Sequence, residues 1–397
     1  MPGILARYLL WEIMKIFLVS LTSLTVLLVL VGVVRQLLRE GLGPMAVVQL
    51  IPYVLPIGLQ FALPATLLFA VCCVYGRAAA DGEISALKAV GISPLVALTP
   101  ALGLALLLSP AAVWLGDLAV SWGRPGVNRV VLHSLEEIVY RVLRTHRAYS
   151  TPKGLSIHVS DVDGRRLISP TITLSSGKNE PLTFTASEGH LQLDPDREML
   201  VLRLTDVRAQ QAGKWKLLWG GELPPAEIPL QKALQSGGGP TSPSELPIWQ
   251  LRPESTRERG YIAAARGQAA AVTGLALATG RLDDLGGKLP ETLHDRITGG
   301  ERRLLRLQAE PWRRWAGGFS CFFFALVGTP LAIRLRSADY WTTFGMCFLP
   351  ILMIYYPAFL IGVEQAKHGS LPPYSVWLGN GLLALVGGWL VRMVYRY

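Results

Sequence analysis

Charge is scarce in this chain. Of its 397 residues, 17% are Asp, Glu, Lys or Arg, against about 25% in an average soluble domain. That shortage argues against an ordinary cytoplasmic enzyme. With 51% hydrophobic residues, the chain is not disordered either. Cysteine is scarce too: Cys72, Cys73, Cys321 and Cys347 all sit inside long apolar runs, so the polar middle has none. Structural disulfides and a Cys-based zinc site are therefore not expected, and small packing residues are the plain reading. The histidines are scattered and form no H-E-x-x-H pattern. No Walker A sequence exists: around Gly287–Lys288, Leu282 replaces the first Gly and Leu289 the Ser/Thr. A G-x-S-x-G elbow is also missing. No apolar run holds the paired carboxylates of a proton-coupled carrier, and Glu364 lies only at a run's end. The chain thus offers no nucleotide site, no metal site and no proton relay, and no cofactor is expected. Any uphill transport must draw its energy from a partner. A lipid-modifying membrane enzyme is disfavoured, because no nucleophile–base pair stands out.

What is present is apolar length. Residues 16–34, 47–75 and 95–115 carry no charge, and after a polar middle the same holds for 315–333, 341–363 and 374–391. A helix needs about 20 apolar residues to span a bilayer, so these runs predict six spans in two groups of three. The net charge of +10 would admit nucleic acid, but six spans leave no place for a soluble DNA-binding protein, and no nucleic acid is expected. The first run is too long for a signal-peptide core and no cleavage site follows it, so it is expected to stay. Arg7, Lys15, Arg77, Lys88, Arg334, Arg336, Arg392 and Arg396 fall on one side of this layout; the short loops opposite carry Arg35, Arg39 and Lys367. The inside bias of short-loop Lys and Arg then puts the termini and the 76–93 loop in the cytoplasm and 122–313 outside it. Residues 267–280 (GQAAAVTGLALATG), bracketed by Arg266 and Arg281, are too short to span and read as a packed or surface helix.

Between about 145 and 230 the apolar pattern changes to period two. The segments 155–161, 166–174, 182–193, 199–207 and 215–220 alternate apolar and polar, separated by Gly, Asn, Asp and Pro. They predict short antiparallel strands in a sandwich, jelly roll or partly open barrel. Residues 236–247 (SGGGPTSPSELP) read as a linker, and 250–313 as helical and rich in Arg and Ala. The expected organisation is therefore 1–121 with three spans and a cytoplasmic helix at 77–93, a β domain at 145–235, a linker and helical insertion at 236–313, and three spans in 314–397.

Three motifs carry information. Pro56 and Pro64 lie within the second run, and GRAAADGEISALKAVGIS follows from Gly76. Proline frees a backbone carbonyl and kinks a span. The 78–90 stretch reads as a short amphipathic helix with Ile84, Leu87 and Val90 on one face; Gly91 suits its end. It is either a docking device for a soluble subunit, with an acidic residue meeting an Arg of that subunit, or a solvated loop helix. Arg35 and Arg39 share a helix face at the end of the first run. They either hold lipid phosphates or snorkel at a span end. Glu310 and Arg314 are four apart before the fourth span, with Pro330 sixteen residues beyond Arg314.

These residues resemble the LptF/LptG-type permeases (YjgP/YjgQ family) of lipopolysaccharide export. The family pattern P-x7-P, G-[KR], E-[IL] and A-x-G-x-S is met at Pro56, Pro64, Gly76, Arg77, Glu83, Ile84, Ala89, Gly91 and Ser93. An A-x-x-G matches Ala186–Gly189, and the E-x3-R with a following Pro matches Glu310, Arg314 and Pro330. The chain departs from the pattern at about 250–305, where an Arg/Ala/Gly-rich insertion stands.

The resemblance implies an α-helical integral membrane protein of the bacterial inner membrane. It would have six transmembrane helices (3+3) and an inserted extracytoplasmic all-β jelly-roll domain. It implies a permease subunit with no ATPase site or catalytic residue of its own. Its partners would be a cytoplasmic ABC ATPase dimer, a sister permease or second copy, and periplasmic bridge proteins with a jelly-roll fold. Arg77, Glu83, Ile84, Leu87 and Gly91 would dock the ATPase, and Arg35 and Arg39 would bind phosphates of lipopolysaccharide or a related glycolipid. Pro56, Pro64, Glu310, Arg314 and Pro330 would be structural. The alternative is a non-transporting scaffold or mechanotransmitting ABC subunit that recognises a periplasmic partner.

Overall fold

The computed structural model describes residues 2–40, 44–91, 93–127, 129–130, 140, 143–144, 147–150, 155–164, 166–174, 182–194, 199–211, 215–222, 226–229, 242–280, 288–336 and 339–396. Among these, six helices are long and apolar enough to cross a membrane: Gly3–Leu38, Met45–Ala80, Leu95–Val127, Glu291–Leu335, Tyr340–His368 and Pro373–Arg396. They fall on the six uncharged runs. The chain divides into two units: Met1–Gly32, Pro52–Arg124 and Thr241–Tyr397 form the first, and Val33–Ile51 and Pro125–Pro240 the second.

The first unit is helical. Its elements are α1 (Pro2–Glu40, up to Gly32), α2 (Pro44–Ala80, from Pro52), α3 (Glu83–Ala89), α4 (Pro94–Leu118), α5 (Ile248–Thr279), α6 (Lys288–Leu335), α7 (Tyr340–His368) and α8 (Leu378–Arg396). Ile13, Leu67, Leu98, Phe324, Ile351 and Leu383 bring α1, α2, α4, α6, α7 and α8 into one core. Lipid is as apolar as leucine, so such helices are held by close packing more than by apolar burial. Two glycines mark where backbones meet. A Cβ at Gly318 of α6 would lie 2.3 Å from Val113 Cγ2 and 2.8 Å from Val113 N of α4. One at Gly362 of α7 would lie 2.5 Å from the Ser375 carbonyl oxygen. α2 continues through Pro52, Pro56 and Pro64.

The insertion at 250–305 folds as a hairpin of α5 on the first part of α6. Leu251, Ile262, Ala265 and Ala276 of α5 are buried, at alternating heptad-like spacing. Leu293 and Leu307 of α6 are buried, and a Cβ at Gly300 would lie 2.9 Å from Ile262 Cγ1. Arg303 bridges Glu254 at 2.8 Å and Glu258 at 3.3 Å, and Arg266 reaches Glu301 at 2.6 Å. The 267–280 segment is the second half of α5 and is not one of the candidate spans.

The second unit carries the sheet. Among the described residues ten strands pair, every pair antiparallel, in the order β1-β2-β5-β6-β8-β7-β4-β3, with β9 and β10 also on β8. The strands are β1 (Ala148–Ser150), β2 (Leu155–His158), β3 (Asp161–Asp163), β4 (Arg166–Ile168), β5 (Thr171–Leu174), β6 (Leu182–Thr185), β7 (Glu188–Asp194), β8 (Met199–Gln211), β9 (Trp215–Glu222) and β10 (Ala226–Pro229).

Two segments expected as single strands are each divided, 166–174 at Ser169–Pro170 and 182–193 at Ala186–Ser187. The breaks are in register. Ser169 N donates to Ser187 O at 3.0 Å, Ser187 N to Thr205 O at 3.1 Å, and Gly221 N to Asp206 Oδ1 at 2.9 Å. Ser169 (φ 48°) and Asp206 (φ 54°) both have left-handed backbone. The pairing of β8 with β9 shifts register in the same row, between Thr205 and Val207, and a bulge bends its strand. Ala186 is buried there, and a Cβ at Gly189 would come within 3.1 Å of both Leu204 and Pro170. The A-x-x-G spacing thus places two small residues where the strands crowd. The turns expected at 177–179, 195–196 and 213 lie outside the described residues, as does the linker from 236 to 241.

Candidate functional site

The helix expected over 77–93 is shorter. α2 runs on to Ala80, and Gly82, at φ 79°, ends that turn and leaves α3 only Glu83–Ala89. Glycine, having no Cβ, takes this left-handed position without steric cost. Gly91, also at φ 79°, closes the other end, its N–H donating to Lys88 O at 3.0 Å. Arg77 therefore sits on α2, where it pairs with Glu12 of α1.

α3 has two faces. Ile84 is buried in the core, Leu87 packs partly against it, and Lys88 Nζ donates to the Val394 carbonyl of α8 at 3.1 Å. Glu83, Ala86 and Val90 lie on the other side and are exposed, Val90 by 78%. Val90 thus departs from the apolar face expected for it, because Gly91 turns the chain before the helix can complete another turn. Among the described residues Glu83 makes no ion pair. Ile84 and Leu87 are turned into the chain's own core, and Glu83, Ser85, Ala86, Ala89 and Val90 are left exposed.

Glu310 and Arg314 meet in a buried ion network. Their side chains are 6% and 5% exposed. Arg314 Nε donates to Glu310 Oε1 at 3.1 Å, Nη1 to Asp117 Oδ1 at 2.8 Å and Nη2 to Leu246 O at 2.6 Å. Arg313 holds the same glutamate through two bonds of 2.8 and 2.5 Å. Ile248 N adds a bond to Asp117 Oδ1 at 2.8 Å. Two carboxylates and two guanidiniums balance, and every nitrogen of the Arg314 guanidinium is engaged. The network ties the end of α4 to the chain leading into α5 and to the middle of α6. Asp117 escaped the sequence reading; the signal was a lone carboxylate at the end of the third apolar run. Pro64 lies beside this region, in the wall of a cavity of about 140 Å³ shared with Gln60, Arg313 and Gly318. Pro56 and Pro330 are buried.

Arg35 is exposed on α1, in the part belonging to the second unit. The side chain of Arg39 lies outside the described residues. Arg35 thus belongs to the second unit, and α3 and the ion network to the first.

A family model described as lipopolysaccharide export system permease LptF/LptG matches residues 7–393. The chain belongs to the LptF/LptG family. As such it is a multi-pass transmembrane subunit of the ABC-type lipopolysaccharide export system, in which the ATPase is LptB. No curated protein matches the sequence.

Proposed function

We propose that this permease takes up force at α3 and holds lipid phosphates at Arg35 and Arg39. The termini and α3 face the cytoplasm and the β unit faces the periplasm, in line with the side of the chain on which short-loop Lys and Arg accumulate. An ATPase dimer meets the exposed Glu83, Ala86 and Val90, while Ile84, Leu87 and Lys88 fasten α3 to the transmembrane core. A push on that face then moves α2 and α8 directly, since α3 has no slack of its own. A sister permease or second copy completes the cavity, which a glycolipid enters laterally between the first span of one chain and the fifth of the other. Its phosphates sit on Arg35 and Arg39, and its acyl chains rest on apolar side chains. Closure passes the lipid to the β unit and on to a periplasmic bridge. Extraction is costly because about 0.8 kcal/mol per CH₂ must be replaced, and apolar strand faces supply that replacement outside the membrane.

The observation that carries this reading is the division of α3 into a buried anchor and an exposed face whose carboxylate, Glu83, makes no ion pair among the described residues. The test is Glu83→Arg in the intact chain. The ATPase is expected to be lost on co-purification while the permease remains folded and in the membrane. Undiminished ATPase recovery would sink the docking claim.

A further inference from the structure

α6 and α8 approach closely at Gly387, where a Cβ would lie 2.7 Å from Leu326 Cγ. Seven residues further along each helix stand Ile333 and Val394. There a cavity of about 570 Å³ opens between these two helix ends and α3, bounded by Ser85, Lys88, Arg334, Arg336, Met393 and Val394. Small-ligand pockets run to about 300–1,000 Å³. The cavity lies at the bilayer edge on the side of the termini, because the uncharged run of the fourth span ends at Ile333 and α8 ends at Arg396.

Lys88, Arg334 and Arg336 are cations without a counter-charge. Among the described residues no carboxylate lines the cavity, and none of the three makes an ion pair. Lys88 Nζ donates to the Val394 carbonyl at 3.1 Å, and the Arg334 guanidinium rests on the Met393 thioether sulfur. Both partners are neutral, and a thioether is a weak acceptor. Carbonyls at a helix end attract a cation, but they do not cancel three. Arg334 and Arg336 are exposed and stand at the mouth. Ile84, Ile333 and Val394 are buried and make an apolar floor.

We infer that this cavity binds the phosphate of an anionic glycerophospholipid from the leaflet on the terminus side. Basic pockets between span ends suit such headgroups. The phosphate bridges Lys88 of α3 to Arg334 and Arg336 at the end of α6, and the glycerol end of the lipid covers the apolar floor, which a free phosphate would leave wet. A bound lipid thus braces α3 against α6 and α8. No residue of α1 or α7 lines the cavity. The assignment needs neither the docking of an ATPase at α3 nor the roles of Arg35 and Arg39, so each can fail alone.

The test is native mass spectrometry of the full-length permease in detergent, with equal amounts of phosphatidylglycerol and phosphatidylcholine. The parent is expected to retain phosphatidylglycerol preferentially. Arg334→Ala with Arg336→Ala, both at exposed sites, should cut that preference about 25-fold, fivefold for each cation at ~1 kcal/mol apiece. Lysine at both positions should keep it. Arg392→Ala with Arg396→Ala should also keep it, since these exposed arginines of α8 do not line the cavity. Equal retention of the two lipids by the parent would overturn the proposal. An unchanged preference in the Arg334/Arg336 variant, or an equal loss in the Arg392/Arg396 variant, would do the same. Displacement of the lipid by excess inorganic phosphate would assign the cavity to the free anion. A cross-link from Ser85→Cys to a co-purified ATPase, with loss of the lipid, would put protein there instead; either result overturns the lipid assignment.

Discussion

Arg35 with Arg39 and Glu310 with Arg314 have the same i,i+4 spacing on helices at the edge of the membrane, and opposite fates. Arg314 is buried and finds Glu310, Asp117 and the Leu246 carbonyl within its own chain. Arg35 is exposed, with a cation rather than a carboxylate four residues on. A buried guanidinium must be paired internally, because an unpaired one costs several kcal/mol. An exposed one at a span end is free to take an anion from outside. The spacing is common to both; the neighbour decides whether an arginine is buried and paired within the chain or left exposed.

The strongest way to break that contrast is Arg314→Ala. It leaves Glu310 with Arg313 alone and Asp117 with only a backbone donor. Stability is expected to fall by about 3–5 kcal/mol, read as a lower thermal midpoint of the purified chain. A change below about 1 kcal/mol would mean that the network is wet and weak. Next comes Asp117→Asn, which keeps shape and one acceptor but removes a charge. Its expected cost is about 1–3 kcal/mol, and it should be much smaller in an Arg314→Ala background, since the two residues share one network.

Arg35→Ala with Arg39→Ala sharpens the comparison from the other side. Stability should stay within about 0.5 kcal/mol of the parent, while photocrosslinking of lipopolysaccharide to the first span should drop several-fold. Unchanged crosslinking would remove the phosphate role.

The smallest effect is expected at Asp339, the N-cap of α7. Its carboxylate accepts from the Thr342 side chain and from Thr342 N, at 3.0 Å for the backbone bond, and these bonds hold its pKa below the ordinary 3.8. A depressed carboxyl adds stability that is complete above its ordinary value and is lost as pH falls through the folded one. Asp339→Asn should therefore be slightly less stable at neutral pH and should lose that acid dependence below pH 3.8. A pH scan of the thermal midpoint of both proteins reads it.

The spans were legible because each is an uncharged run of the length a bilayer demands. The β unit was legible by its period of two. Where its strands break was not. Ser169–Pro170 and Ala186–Ser187 look like ordinary strand interiors until neighbouring strands bring these breaks and the Thr205–Val207 bulge into one row. The α5–α6 hairpin was hidden for a different reason. Its seam mixes the widely spaced Leu251, Ile262, Leu293 and Leu307 with Ala265, Ala276 and Gly300, so no continuous hydrophobic stripe stands out in a segment already rich in alanine. The α3 site was half legible: its position and Glu83 could be read, but which apolar residues face inward could not. Gly82 and Gly91 cut the helix to seven residues and turned Val90 outward.

By itself the sequence determined what local chemistry can determine. Apolar length set the membrane helices, alternation set the strands, and the P-x7-P to A-x-G-x-S pattern pointed to the LptF/LptG family. Only the tertiary structure decided which charges cancel and which stay free. Asp117 and Arg314 are 197 residues apart in the chain and 2.8 Å apart in space, and no pattern along the chain encodes such a contact. A pairing of that kind depends on how α4 and α6 pack, with Gly318 against Val113, and it fixes which arginines are neutralised within the chain.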